Sequence, residues 1–324
     1  MNKQTATISV IIPIYNAGKY LFDTLESVSL QSFTDWECIC INDGSTDKST
    51  DVINKFASND NRFKLIEQTN QGVSISRNVG LNVATGKYVA FLDQDDLMPP
   101  FALESLVVLA EKYNLNMVRG RRKNIPENYE LNELSNIKLT PKYTFINKLS
   151  VFNFRLLPKR WMYVWLCLFR REFLNDIRFY EPLKSGAEDN IFMFEVFNKI
   201  QTFVQCQNLV CMHRKSLTST TQNGLKLSHI HTIELAIAKF KDLTDKNNNS
   251  LSQFIYKKQI RNFFRGSVYK SIESKKYISE TQQMLQKTYP DIKHLLKLKH
   301  KLIVYLFIQN RIKAAEIVKK FLIV

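Results

Sequence analysis

The sequence predicts a doubly wound, mostly parallel α/β sheet with helices on both faces, followed by a helical C-terminal region. Three observations carry that prediction. Strand-like and helix-like patterns alternate four times within the first hundred residues, with short links between them. The first strand pattern, residues 8–14, is apolar on both faces, as a strand covered by helices must be. Beyond residue 225 the pattern changes to Lys-rich, amphipathic helix.

Residues 8–14 (ISVIIPI) are β-branched and apolar throughout, which predicts a buried parallel strand. Residues 18–30 place Leu21, Leu25, Val28 and Leu30 at helical spacing, and residues 36–41 read as a second strand. Asp43-Gly44-Ser45-Thr46-Asp47 is a turn with the chemistry to cap a helix running to about residue 57. A third strand at 62–66, a third helix at 73–83 and a fourth strand at 87–92 complete the repeated steps. A helix at 103–113 and a strand at 116–119 follow. Residues 120–141 are polar and irregular and read as a loop. The next block holds an aromatic run at 161–169, a helix from about Arg170, a loop at 182–186, a helix at 189–199 and a strand at 203–212. Asn247-Asn248-Asn249-Ser250 reads as a turn between helices. The expected division is one domain at 1–224 and a basic helical region at 225–324.

Composition narrows the class. A chain of 324 residues with 44% hydrophobic and 23% charged residues is globular. No run approaches the roughly 20 apolar residues that span a bilayer. The N-terminus lacks the features of a signal peptide. Five cysteines without a CxxC pair predict core thiols and a reducing cytoplasm; Cys38 and Cys40 share one strand face. The net charge is +16, and residues 251–324 contribute 16 Lys and Arg against 4 Asp and Glu, or +12. No nucleic-acid motif accompanies that charge, so a nucleic-acid partner is not expected.

The chemistry concentrates at strand ends. Residues 88–92 form an apolar strand that ends in Asp93-Gln94-Asp95-Asp96. Carboxylates packed this closely repel, unless a hard divalent cation lies between them. The other reading is an acidic cap on a helix starting near residue 99. In doubly wound sheets, ligands bind beyond the carboxyl ends of the strands, where Asp43 and Asp93 both fall.

Four segments in order carry a resemblance: residues 9–16 (SVIIPIYN) with 42–47 (NDGSTD), residues 71–80 (QGVSISRNVG), the acidic cluster at 93–96, and Gly186-Ala187-Glu188-Asp189. This set resembles glycosyltransferase family 2, the inverting nucleotide-sugar enzymes of the GT-A fold, over roughly residues 8–220. The resemblance implies a GT-A-like fold, a donor that is a nucleotide sugar (UDP-linked first of all), and Mn²⁺ or Mg²⁺. It implies that Pro13, Tyr15, Asn16, Asp43, Arg77, Asp93 and Arg214 hold the donor. The metal falls to Asp93, Asp95 and His213, and Asp189 is the catalytic base. Asp96 is left to support a ligand or to cap a helix.

Each residue also has a plainer reading. Asp43 could cap the following helix, although Asp47 is better placed to do so. Arg77 could be a solvated helix-surface residue, Glu188 and Asp189 could serve the helix dipole, and His213 could be a structural loop histidine. Trp165 could be core; relatives often carry Lys where this chain has Cys167, which weakens any acceptor contact inferred there. The acceptor expected from the resemblance is a growing surface glycan or a lipid-linked saccharide, as for bacterial capsule and lipooligosaccharide transferases. The Lys-flanked apolar stretch at 302–308 suits the plane of an anionic membrane, giving a peripheral location on the inner face of the cytoplasmic membrane; a plain packing domain is the alternative. A metal-dependent nucleotidyltransferase and a non-catalytic glycan- or membrane-binding protein are the competing functions.

Overall fold

A computed structural model describes residues 6–147, 162–184, 186–215 and 227–322. They fall into two compact units, 1–216 and 217–324.

The first unit is built on one eight-stranded sheet. Its strands are β1 (Ile8–Ile14), β2 (Trp36–Asp43), β3 (Phe63–Gln68), β4 (Tyr88–Phe91), β5 (Met117–Ile125), β6 (Tyr143–Asn147), β7 (Cys167–Arg170) and β8 (Thr202–Arg214). Their order across the sheet is β3-β2-β1-β4-β7-β5-β8-β6. β1 pairs in parallel with β2 and β4, β2 with β3, and β5 with β8, whereas β7 is antiparallel to both β4 and β5 and β6 is antiparallel to β8. The sheet is GT-A-like: mostly parallel, with its helices packed against it.

Among the described residues, five α-helices belong to this unit: α1 (Leu21–Ser29), α2 (Ser49–Asn59), α3 (Val73–Val83), α4 (Ala102–Lys112) and α5 (Glu188–Lys199). β1 and β2 are buried almost end to end, so their all-apolar sequence matches cover on both faces. α3 approaches β1 closely at Gly80, where a Cβ would lie 2.4 Å from Ile11 Cγ2. Phe91, Phe169, Phe179 and Phe192 form one aromatic core under β4, β7 and α5, with Phe179 and Phe192 stacked at 4.2 Å.

Several expectations are corrected. Residues 120–125 do not start a loop, because β5 continues to Ile125 alongside β8. The polar run Arg121-Arg122-Lys123 is held there by backbone pairing, which does not depend on side-chain polarity. Residues 131–136 form a 3₁₀ turn, pinned by Leu134 in a small core with Leu97, Ile125 and Met212. The segment after Arg170 is a 3₁₀ turn (Arg171–Leu174) rather than an α-helix, and Cys167–Arg170 before it is a sheet strand. The helix after the acidic cluster begins at Ala102 with Phe101 at its cap, so neither Asp95 nor Asp96 caps it. Trp161, the first residue of the aromatic run, lies outside the described residues.

The second unit is helical: α6 (Leu227–Asn247), α7 (Ser250–Phe264), α8 (Lys270–Ser274), α9 (Ile278–Ile292), α10 (Leu298–Ile308) and α11 (Ile312–Leu322). The turn expected at 247–250 joins α6 to α7, with Asn248 in the left-handed region at φ 39°. All five cysteines are buried and free; the Cys38 and Cys40 sulfurs lie 3.9 Å apart on one face of β2.

Candidate active site

The acidic turn after β4 is fixed from both ends. The Leu92 amide donates to the Ile11 carbonyl, and Leu97 exchanges two backbone hydrogen bonds with Met212 on β8. Between them the Gln94 side chain both accepts from the Tyr15 amide (2.7 Å) and donates to the Tyr15 carbonyl (3.1 Å). The loops after β1 and β4 are thereby stitched together. Asn16, in the left-handed region at φ 48°, accepts the Thr46 amide through Oδ1 (2.8 Å), and its own amide donates to Ser45 Oγ (3.0 Å). Pro13 lies one residue before the end of β1, in register with Ile41.

Arg77 is the hub. It sits on α3 with only 3% of its side chain exposed. One terminal nitrogen donates to Asp93 Oδ1 (2.9 Å); the other donates to Asp189 Oδ1 (2.7 Å) and Glu188 Oε1 (3.3 Å). Its guanidinium lies 5.1 Å from the Phe179 ring centre. The solvated-surface reading of Arg77 is overturned. Carboxylates from two distant segments, Asp93 on one and Glu188 and Asp189 on the other, meet at this one cation. Three carboxylates outweigh the effect of its burial and hold it firmly protonated.

Asp189 opens α5 beside Glu188, behind Ala187 at φ 69° and Gly186 at φ 79°. Burial pushes the Asp189 carboxyl up to about 8; Arg77 pulls it down, and Glu188 and Asp93 push it further up. That range suits a base working near neutrality.

Asp95 makes no ion pair among the described residues. Burial first, then the neighbouring Asp96 and Asp93, push its carboxyl up to about 7. Asp96 is fully buried and accepts from the Arg214 amide (3.0 Å) and the Cys211 thiol (3.4 Å), with His213 Nδ1 at 3.1 Å from both of its oxygens. That hydrogen bond is the main reason the His213 imidazole is held protonated above its usual range. The His213 ring stacks on Trp165 (5.4 Å, 14°), which stacks on Tyr163 (4.7 Å, 21°). Trp165 is otherwise buried.

A divalent cation is implied by the resemblance, and the donor set fits one. Asp93 and Asp95 supply hard oxygens, and Asp95 makes no ion pair among the described residues, His213 being the cation that acts on it from nearby. The Asp96 carboxylate fixes His213 Nδ1 and orients the ring, and serving as a ligand through Nε2 requires the ring to give up the proton that this contact favours. Among the described residues, no three His, Cys, Asp or Glu side chains form a cage for a cation alone.

Asp43 and Arg214 play fastening roles. Asp43, the last residue of β2, accepts from the amides of Gln71 and Gly72 (both 2.8 Å) and from Gln68 Nε2 (2.7 Å). It is not a helix cap: Lys48 holds the cap position of α2, and Asp47, one residue earlier, accepts the Ser49 amide at 3.0 Å. Gly72, at φ 96°, lies so close to Lys184 that a Cβ would meet its Cα at 2.9 Å. Arg214 is buried and donates to the carbonyls of Asp95 (3.2 Å) and Glu127 (2.8 Å) and to Asp23 Oδ2 (3.2 Å). The structure therefore brings Arg77, Asp93 and Asp189 into direct contact, and sets Asp95 and Asp96 on the adjoining turn with His213 and Arg214 of β8 against Asp96. Asp43 stands behind the loop that leads into Arg77's helix. Sequence reasoning missed the hub role of Arg77 and the grip of Asp96 on His213; in sequence, Arg77 lies 16 and 112 residues from its partners Asp93 and Asp189.

Residues 9–178 match the sequence model of Glycosyl transferase family 2. The chain belongs to glycosyltransferase family 2. Among its relatives, the uncharacterized glycosyltransferase YibD of Escherichia coli is 31% identical over 257 residues, covering 76% of this chain and 73% of YibD. The uncharacterized glycosyltransferase EpsJ of Bacillus subtilis is 28% identical over 226 residues, covering 66% of this chain and 63% of EpsJ. Among solved structures, S. aureus TarS 1-349 in complex with UDP-GlcNAc superposes with a TM-score of 0.69 at 20% identity, over 97% of this chain and 90% of that one. The mannosyltransferase PcManGT of Pyrobaculum calidifontis, in complex with GDP-Man and Mn²⁺, reaches 0.55 at 14% identity, over 97% and 87%. Both share the fold. Family membership makes the chain a glycosyltransferase and removes the nucleotidyltransferase and non-catalytic alternatives.

Proposed function

We propose that this family 2 member is a metal-dependent, inverting glycosyltransferase that moves a sugar from a nucleotide sugar to a hydroxyl of a growing surface glycan or lipid-linked acceptor. The observation that carries the reading is the Arg77 clamp, which ties the acidic turn at Asp93 to the buried carboxylate of Asp189. An inverting transfer needs a base opposite the leaving group. Asp189 takes the acceptor proton as the hydroxyl attacks the anomeric carbon. Arg77 positions that carboxylate and, through Asp93, ties it to the donor side.

Asp93, Asp95 and His213 would hold Mn²⁺ or Mg²⁺, which supplies Lewis acidity to the departing nucleoside diphosphate. Pro13, Tyr15, Asn16 and Asp43 line the nucleotide side. Three of the roughly four acceptor positions on Asp43 are used within the protein, which leaves one for a base N–H or ribose hydroxyl. Arg214 supports the diphosphate end by holding the Asp95 backbone and the turn at Glu127. UDP is the leading nucleotide because TarS was solved with UDP-GlcNAc; PcManGT, solved with GDP-Man, makes GDP the first comparison.

No helix among the described residues is long and apolar enough to cross a membrane. The proposed location is peripheral, on the inner face of the cytoplasmic membrane, held by the basic C-terminal helices. The test is a hydrolysis and transfer assay with UDP-, GDP- and TDP-sugars and Mn²⁺. One donor is expected to turn over, and Asp95→Ala is expected to abolish that turnover. An Asp95→Ala protein as active as the parent would refute the metal role.

A further inference from the structure

We propose that helix α10 is the surface by which the C-terminal unit docks on an anionic lipid bilayer, with Leu298, Leu302 and Tyr305 as the inserting stripe. The inference deepens the peripheral location proposed above and rests on it.

The sequence of α10, LKHKLIVYLFI, is apolar on nearly its whole circumference. A helix of that kind needs cover on both sides. Protein covers one side: His300, Ile303, Val304 and Phe307 are buried. The other side is open. Leu298 is 83% exposed, Leu302 43% and Tyr305 58%. These three residues are spaced i, i+4 and i+7, so they line one stripe. Single exposed apolar residues are ordinary, but a stripe of three on one helix marks a contact surface.

Charge selects the occupant. Between residues 293 and 322 the sequence has eight Lys and Arg and one acidic residue, Glu316. Lys293, Lys297, Arg311 and Lys313 are exposed and make no ion pair among the described residues. Leucines at the centre of a lysine border suit insertion to the depth of the headgroups, where each nearby cation adds attraction to anionic lipid. A tyrosine at the end of the stripe fits the same boundary, with an apolar ring and a polar hydroxyl. A second copy of this chain would bring the same basic border against itself, which argues against it as the occupant.

The test is flotation of the full chain with vesicles of phosphatidylcholine alone and of phosphatidylcholine with one-third phosphatidylglycerol. The parent is expected to float with the anionic vesicles only, and less so as salt is raised. A variant with Leu298→Ser, Leu302→Ser and Tyr305→Ser alters exposed positions and is expected to keep its circular dichroism and its Mn²⁺-dependent donor hydrolysis. Its vesicle affinity is expected to fall at least tenfold. Equal binding by the variant, or equal binding to neutral vesicles, would overturn the proposal. A solution mass of two chains that drops to one in the variant would overturn it in favour of self-association. Donor hydrolysis is read separately, so its absence counts against the transferase reading and leaves the docking result to stand by itself.

Discussion

Removing the Arg77 guanidinium would leave Asp93, Glu188 and Asp189 crowded together without their cation. Stranding one side of a buried ion pair typically destabilises a protein by about 3–5 kcal/mol, so Arg77→Gln is expected to lower the unfolding free energy from a urea titration by that much. The same network sets the pH response of catalysis. Asp189 must be deprotonated to act as base, and its carboxyl is pushed up to about 8, burial being the main cause. The groups facing it are Arg77, Glu188 and Asp93. Turnover should therefore rise with pH along a limb whose midpoint lies near pH 8 rather than in the ordinary carboxylate range, as a kcat profile would show. Asp189→Asn should abolish that limb and lower kcat by about 10²–10⁴-fold. Donor affinity, measured by calorimetry, should change little; equal losses in both would refute the base assignment.

At the scale of elements, the site depends on close packing behind it. Gly80 lets α3 lie against Ile11 of β1, and α3 carries Arg77. Gly80→Ala should cost about 1–3 kcal/mol by overpacking, visible as a lower melting temperature. Glu37 on β2 serves the opposite end of the sheet. Burial pushes its carboxyl up, but hydrogen bonds from Lys64, Ser9 and Thr85 prevail and hold it down at about 2, from an ordinary 4.5. A depressed carboxyl stabilises the fold fully above pH 4.5 and loses that contribution as the pH falls toward 2. Denaturant unfolding across that window should show a decline of about 2–3 kcal/mol in the parent and a much flatter profile in Glu37→Gln.

The same contrast explains what the sequence made legible. β1 to β4 and α1 to α3 announce themselves because their burial is written as hydrophobic periodicity. β5 beyond Gly120 does not, because Arg121, Arg122 and Lys123 look like loop residues, and only the partner strand 80 to 90 positions later makes them a strand. β7, four residues long and antiparallel between β4 and β5, has too little pattern to separate it from the aromatic run before it. At the site, the carboxylates at 93, 95 and 189 were legible as chemistry. The cation that joins Asp93 to Asp189 was not, since helix periodicity says nothing about which buried acid an arginine will meet.

For the whole molecule, the distribution of sulfur offers a built-in clock. Every thiol lies in β2, β7 or β8, all are shielded from solvent, and residues 217–324 contain none. A thiol-reactive dye should therefore ignore the native protein and mark it only when the sheet parts. Its rate would time the opening of the catalytic unit alone, even while the helical unit melts on a schedule of its own.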